Sequence, residues 1–160
     1  MPISAHCAGR VPFDEPADLI ASFEASLDTI ALLLGDIAEE VPDTPDDWSI
    51  AQILNHLLDA ENRYFARVRR LKREDKPQMK VMPDADLNRL TALQAWKAFY
   101  ELRRRHVRLL RTLKPADWRR SGTLSPGVGK VTIAGIVRHL AAHDAAHTAQ
   151  IARRLSGRPR

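Results

Sequence analysis

Cysteine is almost absent: Cys7 is the only one in 160 residues. No internal disulfide can form, and a reducing cytoplasm is the expected home. Glycine is scarce at seven residues, and aromatic residues make up 6%. Leu, Ala and Arg dominate instead, which suits helices better than strands. Long apolar runs are missing too. The longest, IALLLG and SIAQIL, fall far short of the roughly 18–20 residues of a membrane span. The opening stretch MPISAHCAGRVPFDEP has no apolar h-region, so no secretory leader is expected, and His6 and Cys7 within it receive no role.

What is present is ordinary for a globular protein: 44% hydrophobic and 28% charged residues, in a length that suits one domain with one core. The net charge of +5 raises the question of a nucleic-acid surface. Arg63, Arg67, Arg69, Arg70, Lys72 and Arg73 crowd one stretch, and Arg103, Arg104, Arg105, Arg108 and Arg111 another. Yet 20 acidic residues are interspersed, and no aromatic residues interleave with the arginines. The basic runs therefore read as solvated helix faces, and nucleic acid is not expected as a partner. A pocket for an anionic thiol or carboxylate is an intermediate option.

Four amphipathic segments are visible. The first, from about Glu15 to about Glu39, carries Ile20, Phe23, Leu27, Ile30, Leu34 and Ile37 at alternating spacings of three and four. A Pro- and Asp-rich break from Val41 to Asp47 follows. The second starts at Ser49, a good N-cap, with Ile50, Ile53, Leu57, Tyr64, Val68 and Leu71 on its apolar face. The third runs from about Asp86 to Leu113, with Leu93, Trp96, Phe99, Leu102, Leu109 and Leu113 on one side. Ala116 to Lys130, rich in glycine and proline, reads as a loop. The fourth runs from Thr132 to about Leu155. An all-α four-helix bundle over residues 14–156 is expected, with a flexible N-terminus at 1–13 and a frayed tail at 157–160. PDDWSIAQILNHLLDA echoes PADW and the later TIAGIVRHLAAH, by duplication or by convergent patterning, and the echo pairs His56 with His139.

The fourth segment contains HLAAHDAAHTAQI, with histidine at every fourth position. On a helix, His147 lies about 20° from Leu140, His143 about 60° and His139 about 100°. His143 and His147 thus occupy positions where a bundle helix carries Leu or Ile. Buried imidazoles need partners for their ring nitrogens, and neutral imidazoles are good ligands for a divalent metal. His56, beside the stripe of the second segment, is a third candidate from a facing helix. The small residues Ala141, Ala142, Ala145, Ala146 and Ala149 leave room for a pocket. The echo favours His139 as a partner of His56; the stripe angles favour His143 and His147. His106 has no histidine one turn away and reads as a core-edge or capping residue. Glu61 falls within its apolar stripe and reads as a carboxylate paired with an arginine from another helix. Asp59 and Glu61 both follow His56, but Asp59 lies off the apolar stripe and neither is assigned as a general base, so the catalytic residues stay unknown; Gln52 and Gln150 are candidates to brace a ligand.

The stretch W48-S49-I50-A51-Q52-I53-L54-N55-H56-L57-L58-D59-A60-E61, taken with H139-x3-H143-x3-H147-x2-Q150-I151, resembles the DinB-like (damage-inducible, YfiT-type) family of four-helix metalloproteins. The resemblance covers about Asp14 to Leu155. Many relatives carry Arg-Gly where this chain has Thr148 and Ala149. The resemblance implies a divalent metal, Zn, Ni or Fe, held by His56, His143 and His147. It implies a metal-dependent transferase or isomerase acting on a small molecule with a low-molecular-weight thiol; hydrolysis is less favoured. The alternative is a non-catalytic stress-response or binding protein whose metal is structural or vestigial. Members often pair, and the first segment has apolar surface enough for a homodimer.

Overall fold

The computed structural model describes residues 15–35 and 46–156. The expected flexible start, the frayed tail, most of the Pro/Asp-rich break and the expected helix end near Glu39 lie outside those residues. Four helices form: α1 (Pro16–Leu34), α2 (Ile50–Arg73), α3 (Ala92–Arg111) and α4 (Ile133–Ser156). None is long and apolar enough to cross a membrane.

Local chemistry fixes the helix starts. Ser49 and Gln52 form a reciprocal capping box at α2, and Thr91 and Gln94 form another at α3, each satisfying two backbone N–H groups. The second box places the start of α3 six residues after the expected Asp86. Asp86 instead accepts the Asn88 N–H in a local turn, and Asn55 holds the Leu90 backbone through both its N–H and its carbonyl.

An all-α chain was expected, but the segments read as loops also build a small sheet. Strands β1 (Gln78–Lys80), β2 (Ser121–Ser125) and β3 (Gly129–Thr132) pair in that order. The β1–β2 pair is parallel and the β2–β3 pair antiparallel. A short 3₁₀ turn, Asp117–Arg119, precedes β2 and buries Trp118. Gly122 lets β2 press against the preceding loop: a Cβ there would lie 2.6 Å from the Pro77 carbonyl oxygen. Arg120 ties this sheet to α2 by donating to the carbonyls of Leu71 and Glu74 at 2.6 and 2.9 Å, groups the end of a helix leaves unsatisfied.

Two apolar clusters fill the bundle. One gathers Leu19, Phe23, Val68, Leu71, Leu110, Ile136 and Leu140 near the sheet. The other gathers Leu27, Ile30, Ile53, Leu57, Phe99 and Ile151 at the opposite end. The expected faces of α1, α2 and α4 turn inward, with Ile20, Tyr64 and Leu155 only partly buried and Ile37 outside the described residues. That of α3 is shifted: Leu93 is half exposed, and the buried line is Ala95, Phe99, Arg103, His106 and Leu110. Arg103 and His106 are fully buried, so a count of apolar residues misplaced that face.

Between the two clusters lies a polar layer to which every helix contributes. Arg103 Nη2 donates to Glu61 at 2.7 Å and Nη1 to Asp144 at 2.6 Å. Ser26 donates to Asp144, and His106 Nδ1 sits 2.8 Å from Glu61 Oε1. Phe23 and Phe99 flank the Arg103 guanidinium, with ring centroids 4.1 and 5.0 Å away. Glu61 is thus paired with an arginine from another helix, as expected. His106 is no core-edge or capping residue; it belongs to this network. Burial alone would raise the Glu61 pKa, but the Arg103 charge and the His106 hydrogen bond outweigh it and hold the carboxyl at about 2.

Candidate metal centre

α2 and α4 bring His56, His143 and His147 into one group, whose potential ligand atoms all lie within 4.8 Å of one another. His56 Nε2 is 2.9 Å from His143 Nε2. Ring centroids are 4.8 Å apart for His56 and His147, and 4.5 Å for His143 and His147. His139, the partner the internal echo suggested, lies outside this group. Its ring is 6.4 Å from that of His143 and packs on Tyr64 at 5.4 Å.

The three histidines are half-buried, and from His143 to His147 the one buried residue is Asp144. That differs from the expectation of imidazoles in the core proper. Ala145, Ala146 and Ala149 face solvent, so they do not shape a pocket, whereas Ala141 is buried.

The protonation states suit a cation. Burial, reinforced by the neighbouring His147, pushes His56 down to about 4. Burial and the two other histidines of the group push His143 to about 2. Burial also lowers His147, against the opposing effect of Gln150. All three are neutral at physiological pH, the state that ligates a metal. The Nε2 atoms of His56 and His143 face each other, so at most one of them can carry a proton there. His143 Nδ1 is buried without a hydrogen-bond partner. A set of three neutral imidazole donors fits a divalent ion.

His147 is oriented from behind. Gln150 donates its Nε2 to Asp47 Oδ1 at 2.8 Å, which leaves Gln150 Oε1 facing His147 Nδ1 at 2.9 Å. An oxygen there accepts, so Nδ1 carries the proton and Nε2 keeps its lone pair for the group of three. The Trp48 indole stacks parallel to His147 at 6.1 Å and lies 5.1 Å from His56. Gln150 was expected to brace a ligand and is placed to do so. Gln52 serves the α2 cap and donates to Asn88. Asp47 and Trp48 carry no such signal in the sequence: one fell in an assumed break, and the other stood in the motif without a role.

The nearby acids are engaged. Asp59 and Asp84 both pair with Arg63, and Glu61 and Asp144 with Arg103. Most arginines of the basic runs behave as the solvated faces expected, as with Arg70 paired to Glu74 and Arg111 to Glu24. Arg67 and Arg103 depart from it because both are buried.

Known proteins share the family and the fold of this chain. The DinB superfamily profile matches residues 16–151, from the first turn of α1 into the last turns of α4. Among solved structures, the fold is similar to that of YfiT from Bacillus subtilis, described as a probable metal-dependent hydrolase with an unusual four-helix bundle topology. The TM-score is 0.73 at 16% sequence identity, over 87% of this chain and 85% of that one. At that identity the likeness speaks for the fold alone. No curated protein matches the chain.

Proposed function

The chain belongs to the DinB superfamily, and we propose that His56, His143 and His147 hold a divalent metal ion that serves a reaction on a small molecule bearing or accepting a low-molecular-weight thiol. Transfer of the thiol or a thiol-dependent isomerisation is the favoured chemistry. The observation that carries this reading is the cluster itself: three neutral imidazoles from two helices, within 4.8 Å of one another.

A bound divalent cation supplies Lewis acidity, which lowers the pKa of a coordinating thiol into the neutral range. Neutral histidines leave the full charge of the ion available for that purpose. The side chains around the cluster hold it rather than exchange protons with a substrate. Gln150 fixes His147, Trp48 covers two of the imidazoles, and Arg63 and Arg103 occupy the nearest carboxylates. Either a thiol or a water at the ion would have to release one proton, and with Asp59, Asp84, Glu61 and Asp144 engaged by arginines that proton would pass to solvent.

A second reading, metal-dependent hydrolysis, draws on the description of YfiT. The two separate in the cobalt(II)-substituted protein. A small thiol such as 2-mercaptoethanol is expected to perturb the visible spectrum by direct sulfur coordination. A spectrum that thiols leave unchanged contradicts the thiol assignment.

A further inference from the structure

Arg67 is a buried cation without a counter-charge. It is 8% exposed, and its guanidinium lies 5.0 Å from the Tyr64 ring centroid. Tyr64 lies beside it, and Arg63 is the other charge near it. Among the described residues, no carboxylate pairs with it. Its neighbours on the same face of α2 differ: Arg63 is matched by Asp59 and Asp84, and Arg70 by Glu74. A guanidinium cannot shed its proton, so without an acid beside it the Arg67 charge is met by water or by an anion from outside the chain.

A groove beside Arg67 offers room for such a group. Arg67 lines an open groove of about 540 Å³ between α2 and β1, whose apolar wall is Ala66, Met79 and Met82. On its other flank Tyr64 packs on His139, and His139 adjoins His143. Along α2, Arg63 and Arg67 follow His56 by seven and eleven residues, which places each within about 20° of its direction. Arg67 and His56 are about 16 Å apart along the axis at 1.5 Å per residue. A long side chain on a helix leans back toward the N-terminus, which shortens the gap to be spanned.

We propose that this groove is an anion subsite, in which Arg67, flanked by Tyr64, receives the carboxylate of a small molecule with a short aliphatic body whose far end reaches His56, His143 and His147. The far-end contact rests on the proposed metal centre; the carboxylate contact does not. A guanidinium fork matches a carboxylate in shape and charge, and the methionine wall suits a methylene chain.

The test uses ¹⁵N-labelled full-length protein, metal-free and zinc-loaded, titrated with 6-mercaptohexanoate and with neutral 6-mercaptohexanol. Arginine side-chain N–H resonances are followed by NMR. The acid is expected to bind saturably and shift the Arg67 resonance in both forms, with tighter binding when zinc is present. Arg67→Met keeps the aliphatic stem and should weaken the acid about tenfold or more while leaving the alcohol unchanged. Tyr64→Phe, which keeps the ring, should weaken the acid by a smaller factor. Equal affinity of Arg67→Met and wild type for the acid, with both proteins folded by circular dichroism, overturns the subsite. Arg67-dependent binding that zinc does not strengthen supports the subsite and counts against the metal-centre reading instead.

Discussion

Gln150 Oε1 and His147 Nδ1 lie 2.9 Å apart, and the direction of that hydrogen bond is set by Asp47, which takes the amide nitrogen of the same glutamine. One side chain thereby fixes which nitrogen of a candidate ligand remains free to bind. Loss of such a partner typically weakens metal affinity about 10–100-fold. Gln150→Leu should show a drop of that size in zinc affinity, measured by competition with a chromophoric chelator, with the helical content unchanged. Asp47→Ala should show a smaller drop of the same sign.

The Arg103 layer holds the bundle together at mid-height. Removing one member of a buried, hydrogen-bonded ion pair costs about 3–5 kcal/mol, because the partner charge is stranded. Arg103→Met strands two carboxylates, Glu61 and Asp144. Urea denaturation of the metal-free protein is expected to show a loss in that range or greater. A loss below about 1 kcal/mol, the level of an exposed pair, would show that the layer is not a stabilising network.

The acid limb of stability follows from Glu61. Its carboxyl is held at about 2 in the folded chain against an ordinary 4.5. The unfolded chain therefore takes up the proton first as the pH falls. The contribution of Glu61 is fully present above pH 4.5 and is lost as the pH falls through about 2. Over that interval the metal-free wild type should lose more stability than Glu61→Gln, which has no proton to take up. Equal slopes by denaturant titration would contradict the assignment.

Much of this was visible in the sequence, for reasons that particular residues show. The stripes of α1, α2 and α4 are legible because most of their buried positions are apolar, although Glu61, Arg67 and Asp144 are buried among them. The stripe of α3 misled because its buried line runs through Arg103, which a hydropathy pattern assigns to the surface, and through His106, which reads only as core-edge. The sheet was hidden because its strands are three to five residues long, too short for alternation to register. It is held by Gly122 packing on Pro77 and by Arg120 capping α2, contacts between distant segments. At the site, the i,i+4 spacing of His143 and His147 and the position of His56 were local signals. Asp47 reaches Gln150 across 103 residues, and no local pattern encodes that. Arg67 stood among arginines of similar context, and only burial without an acid partner sets it apart.

The central claim is that His56, His143 and His147 share one metal ion and His139 does not take part. Elemental analysis of untagged protein tests it most directly, applied to the wild type and to His56→Ala, His143→Ala, His147→Ala and His139→Ala. The expected result is about one divalent metal per chain in the wild type and in His139→Ala, with the metal lost from the other three. Metal content unchanged across all four variants, or lost equally from His139→Ala, would contradict it.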